Sequence, residues 1–176
     1  MLDRSVMTLR GRVAAVLPDN IDTDIIYPGR YLNITDREKT AEHLFELSYP
    51  ELRAQLRPGD IIVAGKNFGC GSSREQATAA LKGAGVGAVI APTFARIFYR
   101  NSINLGLPAV VTESIEASVN DELEIDLAAG RIRNLTRGSE YVAAALDPRA
   151  VELLAAGGLI PYLKEHHNVQ HSLDAR

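Results

Sequence analysis

Tryptophan is absent from this 176-residue chain, and aromatic residues make up only 6% of it. The core must therefore be mostly Ala, Val, Ile and Leu, which a hydrophobic fraction of 46% can supply. Cysteine occurs once, at Cys70. That excludes an intrachain disulfide, and it excludes a metal or iron–sulfur site built from several cysteines of this chain. A basic excess is also missing. The net charge is -3, whereas a general nucleic-acid binder needs a basic face to displace counterions. No apolar run approaches the roughly 18 residues of a membrane-spanning helix, and residues 1–12 lack the apolar stretch of a secretion signal. The expectation is one cytoplasmic domain over 1–176, with neither membrane nor nucleic acid as partner.

What is present alternates between strand and helix. Residues 12–18 read as a first strand, stopped by Pro18. Residues 19–26 form a turn rich in short polar side chains, where Asp19, Asp22 and Asp24 are candidates for Asx-turn bonds. Their spacing fails the EF-hand pattern, so a calcium loop is disfavoured. Asp36 is a candidate N-cap for a helix over 37–47, which Tyr49-Pro50 would stop. A buried strand over 60–64 follows the Pro58-Gly59 turn. Then come a helix to about Ala84, a strand over 88–91, a helix over 93–105 capped by Gly106, and a strand over 108–111. Strand, helix, strand, helix, strand predicts a parallel βαβαβ portion. After Thr112 the pattern changes: Glu122 to Leu127 alternates, as in a half-buried antiparallel strand. Two shorter strands follow, and Asp147-Pro148 opens a helix over 149–156. The tail over 164–176 is polar and reads as loose. The fold class is α/β, with additional antiparallel strands.

The stretch with most chemistry is Gly65-Lys66-Asn67-Phe68-Gly69-Cys70-Gly71-Ser72-Ser73-Arg74-Glu75, between a strand and a helix. Ser72 and Glu75 have capping-box spacing, so the loop can be a helix start and nothing more. It fails as a dinucleotide fingerprint because Arg74 stands where glycine or alanine is needed. It fails as a Walker loop for want of a Gly-Lys-Ser/Thr ending. A cysteine–histidine hydrolase is disfavoured, since His43, His166, His167 and His171 lie in or near polar segments with no evident pairing. Arg74 is the informative residue. A cation at a helix start opposes the helix dipole, and an anion bound there explains it most simply. Its fork of donors fits a carboxylate or a phosphate.

Residues 67–75 resemble the signature of the mobile domain of the aconitase superfamily. Residues 19–26 with Pro28-Gly29-Arg30-Tyr31-Leu32 are similar to the start of the free-standing small subunits in the 3-isopropylmalate dehydratase and homoaconitase group. Pro92 to Phe98 with Arg100-Asn101 matches a third block, so the likeness runs over about residues 10–111. It implies a swivelling β/β/α domain. It also implies a hydro-lyase that moves a hydroxyl between neighbouring carbons of a hydroxy-dicarboxylate by dehydration and rehydration. A 4Fe–4S iron–sulfur cluster would act as Lewis acid on a separate large catalytic subunit, with no cofactor or metal bound by this chain. By motif position Ser72 would be the catalytic base, and Asp24 a catalytic aspartate that orients a group of the partner subunit. Arg74 would hold a substrate carboxylate, and Ser73 would add a hydrogen bond.

The resemblance also implies that the loop of Tyr31, Leu32, Asn33, Ile34 and Thr35 meets the substrate's variable γ-substituent. Relatives that handle an extra carboxylate carry arginine on it, and this loop has none, which favours an apolar or small group. Isopropylmalate, in leucine biosynthesis, is favoured over homocitrate. Asn33 departs from the apolar residue expected for an isopropyl group and leaves citramalate- or dimethylmalate-type substrates open. Arg30 and Arg37 lie near enough to complicate the argument. A reading from a different class is a non-enzymatic, anion-binding regulatory module using the same loop.

Overall fold

A computed structural model describes residues 8–34 and 36–174, with the side chains of 37, 38 and 167–174 outside the description. Seven strands form one sheet in the order β4-β3-β2-β1-β5-β6-β7. Strand β1 (Thr8–Leu17) is the pivot. On one side it pairs in parallel with β2 (Ile61–Ala64), which pairs with β3 (Ala88–Ala91) and then β4 (Ala109–Val111). On the other side it pairs antiparallel with β5 (Glu122–Asp126), followed by β6 (Arg131–Asn134) and β7 (Ser139–Val142). The expected mixed architecture is therefore present.

The burial of each strand follows from its place. Strands β2 and β3 are buried at every residue, as parallel strands covered on both faces must be. Alternate residues feed two cores. Ile62, Ala64 and Val89 pack with Ala77, Ala80 and Leu81 of helix α4 (Glu75–Gly83), while Ile61, Val63 and Ile90 pack with Ile103, Leu123 and Ile132. At the pivot, Arg12 donates to both carboxylate oxygens of buried Asp60 and to Asn120 Oδ1, tying the starts of β2 and β5 to one residue. In the antiparallel half, Asn134 and then Arg137 hold the Asp121 carboxyl down to about 2.

The helices depart from expectation in three places. The turn over 19–26 ends in a short helix, α1 (Thr23–Ile26), capped by Asp22, whose Oδ1 accepts the Ile25 N–H. Asp36 does bond the Lys39 N–H, but α2 (Arg37–Glu42) stops at Glu42 instead of running to 47. The reason is tertiary: Phe45 takes φ 55 and donates its N–H to the Ile26 carbonyl. Pro50, read as a stop, is also the first residue of α3 (Pro50–Gln55). Helix α6 (Pro148–Ala155) is followed by α7 (Leu159–Asp174), and residues 175–176 of the tail lie outside the described residues. Helix α5 (Arg96–Leu105) closes at Gly106 in the left-handed conformation, as expected. No helix among the described residues is long and apolar enough to cross a membrane.

Candidate active site

The glycine-rich loop leaves β2 and is woven against two other loops by backbone bonds. Gly69 donates to the Ile21 carbonyl, and Cys70 accepts from the Thr23 N–H, each in extended pairing. Phe68 pairs with the segment at Phe94, accepting from Ala95 and donating to Thr93. Three segments remote in sequence thus meet at one place, and they are the three that carry the family-like motifs. Gly69 permits it. It has φ +76, and a Cβ there would fall 2.1 Å from Phe98 Cγ. Gly69→Ala is expected to lower stability by roughly 2 kcal/mol or more, from left-handed strain and overpacking together. The midpoint of urea unfolding checks this.

Ser72 does not cap α4, contrary to the capping-box reading. The N-cap residue is Arg74, whose side chain makes no capping bond. Ser72 is instead held by its N–H, which donates to Thr23 Oγ1 at 3.1 Å. Its half-buried hydroxyl has no partner among the described residues. The opening N–H groups of α4 therefore remain uncapped, with the positive end of the helix beside two hydroxyls, Ser72 and Ser73. Such a start binds anions.

The three aspartates of the first motif separate by role. Asp19 accepts the Lys66 N–H at 2.7 Å, and Asp22 caps α1. Asp24 forms an ion pair with Arg74 through Nη1. Arg74 is a quarter exposed and Asp24 is 61% exposed. The pair rests against Gly29, where a Cβ would come within 2.9 Å of Arg74 Nη1. One edge of the guanidinium is thus fixed by Asp24, and no other bond of its fork is made among the described residues.

The loop expected to read the γ-substituent has contacts on two sides. The Leu32 carbonyl faces Gln76 Nε2 of α4, so the loop borders the same helix start. The Tyr31 ring, however, is stacked on His43 with centroids 3.6 Å apart, and its hydroxyl donates to Glu46. Arg30 lies over the same ring and pairs with Glu46 at 2.9 Å. The Glu46 carboxyl is held below its ordinary value, first by His43, then by Tyr31 and Arg30. Leu32 and Ile34 are half-buried and Asn33 is exposed; Thr35 and the Arg37 side chain lie outside the described residues.

Ser72 also borders an open cleft of about 870 Å³, whose walls include Gly69, Gly71, Phe94, Arg96 and Arg100. Neither Arg74 nor the Tyr31 loop lines it. Arg96 and Arg100 were assigned no role from sequence. A signal was there, because they stand four apart on a segment, 92–112, that contains no acidic residue.

These features agree with comparisons to known proteins. A family model described as the Aconitase C-terminal domain matches residues 20–114. The methanogen homoaconitase small subunit of Methanothermobacter thermautotrophicus is 54% identical over 157 residues, 89% of this chain and 91% of that one. The 3-isopropylmalate dehydratase small subunit of Moorella thermoacetica is 54% identical over 149 residues, 82% of this chain and 89% of that one. A crystal structure of 3-isopropylmalate dehydratase from Methanocaldococcus jannaschii superposes with a TM-score of 0.86 at 42% identity, covering 94% of this chain and 99% of that one. This chain belongs to the Aconitase C-terminal domain family, among the small subunits of the 3-isopropylmalate dehydratase type.

Proposed function

We propose that this chain is the small subunit of a heteromeric, cytoplasmic hydro-lyase that interconverts 2-isopropylmalate and 3-isopropylmalate in leucine biosynthesis. The observation that carries it is the free Ser72 hydroxyl beside an uncapped helix start, two residues from the Arg74–Asp24 pair. Ser72 takes the proton from the carbon next to a carboxylate. The hydroxyl leaves the neighbouring carbon, and water returns with the positions exchanged. A serine alkoxide needs strong stabilisation, and the N–H groups opening α4 supply fixed positive potential without reorganisation. Arg74, oriented by Asp24, uses its free donors to hold a substrate carboxylate, with Ser73 adding a bond. Asp24 also faces the partner and orients one of its groups. A 4Fe–4S cluster on the large subunit, which the family resemblance implies and with which the single cysteine of this chain agrees, would supply the Lewis acid for the leaving hydroxyl.

Substrate choice rests on charge. The two relatives above carry different names at the same 54% identity, so overall likeness does not decide it. Arg30 beside the loop is already committed to Glu46. A third substrate carboxylate at the γ-position would then find no cation on the described part of the loop, which is costly when desolvated. A panel with the reconstituted enzyme tests this. Isopropylmalate is expected to give a kcat/KM at least about tenfold above homoaconitate, since an unpaired desolvated charge costs more than 1.4 kcal/mol. Preference for homoaconitate would reject the assignment, and preference for citramalate or dimethylmalate would make Asn33 the mark of a smaller pocket.

A further inference from the structure

Two cations are left over by the site as described. Arg96 and Arg100 sit one turn apart on α5 and line the cleft beside Ser72. Both are exposed, and neither has a hydrogen-bond or ion-pair partner among the described residues. No aspartate or glutamate lines that cleft. Between them Ile97 is 51% exposed, an apolar side chain next to the two cations. The result is a positive, partly apolar wall in a chain whose net charge is -3.

We propose that Arg96, Ile97 and Arg100 form the seat for the large subunit, which brings carboxylate side chains onto the two guanidiniums and an apolar contact onto Ile97. This rests on the small-subunit reading above. If Ser72 completes a site whose other half is on the partner, the partner must come within reach of the Ser72 hydroxyl. That approach covers the cleft Ser72 shares with the two arginines. A guanidinium cannot shed its proton, and removing it from water unpaired is strongly unfavourable. Arg74 has Asp24 for this purpose, but Arg96 and Arg100 have no partner among the described residues. The counter-charges therefore come from the partner. A substrate carboxylate is the competing occupant, but an exposed isoleucine between the cations suits a protein surface better than a small dianion.

The test uses the full chain and its cognate large subunit. The dissociation constant of the complex is measured by sedimentation at low and moderate salt, for wild type and for R96E/R100E. The wild-type affinity is expected to fall with salt. The double variant is expected to bind at least about 30-fold more weakly, with KM and kcat at saturating large subunit changed less than about threefold. Unchanged affinity overturns the proposal, and unchanged affinity with a raised KM assigns the arginines to substrate instead. If the wild-type chain binds no large subunit, it is the small-subunit reading that fails. Circular dichroism melting confirms that the variant is folded, and if it is not, R96Q/R100Q gives a smaller weakening in the same assay.

Discussion

Replacing Ser72 by alanine is expected to lower kcat of the assembled enzyme by about 10³-fold, within the range for loss of a positioned general base. KM and assembly should change little, because the variant removes one hydroxyl that has no partner among the described residues. The backbone would stay in place, since Ser72 is fixed through its N–H to Thr23 Oγ1 and not through its side chain. The size of the loss separates the two roles this serine can play. A cap would cost about 1 kcal/mol of stability and leave chemistry intact. A base would cost rate and leave stability intact. The uncapped start of α4 favours the second outcome. Melting temperature and single-turnover rate, measured on the same variant, decide between them.

The second large effect is at Arg74. Arg74→Lys keeps the charge but loses the planar fork, and lysine cannot donate in parallel to Asp24 and to a substrate carboxylate with the same geometry. KM is expected to rise about 10- to 100-fold, as for loss of a charge-assisted bond, with a smaller change in kcat. Asp24→Asn should move KM in the same direction and by less, because it leaves the guanidinium in place without its charged anchor. A KM unchanged in Arg74→Lys would remove Arg74 from substrate binding.

The parts of the fold legible in the sequence are those set by local pattern. The apolar runs of β2, β3 and β4, the alternation of β5, and the caps at Asp36, Gly106 and Asp147 each depend on residues a few positions apart. What sequence misassigned was decided by remote partners. Ser72 and Glu75 have capping spacing, yet Thr23, 49 positions away, takes the Ser72 N–H. Helix α2 stops early because Ile26 holds Phe45 in the left-handed region. The site shows the same division. Arg74 stands out in the sequence as a candidate because a cation at a helix start contradicts the helix dipole. That Asp24, and not Asp19 or Asp22, would be its partner was not legible, because three nearby aspartates differ only in what folds against them. The contacts of Tyr31 with His43 and Glu46 were not legible either, since a helix separates those residues from it in the chain.

The central claim is that this chain holds half of an active site, with Ser72 as its base. The most direct measurement is isopropylmalate turnover by this chain alone, by the cognate large subunit alone, and by the two mixed, with wild-type Ser72 and with Ser72→Ala. Turnover is predicted only in the wild-type mixture, with the Ser72→Ala mixture near background. Turnover by this chain alone, or a Ser72→Ala mixture as fast as wild type, would contradict it.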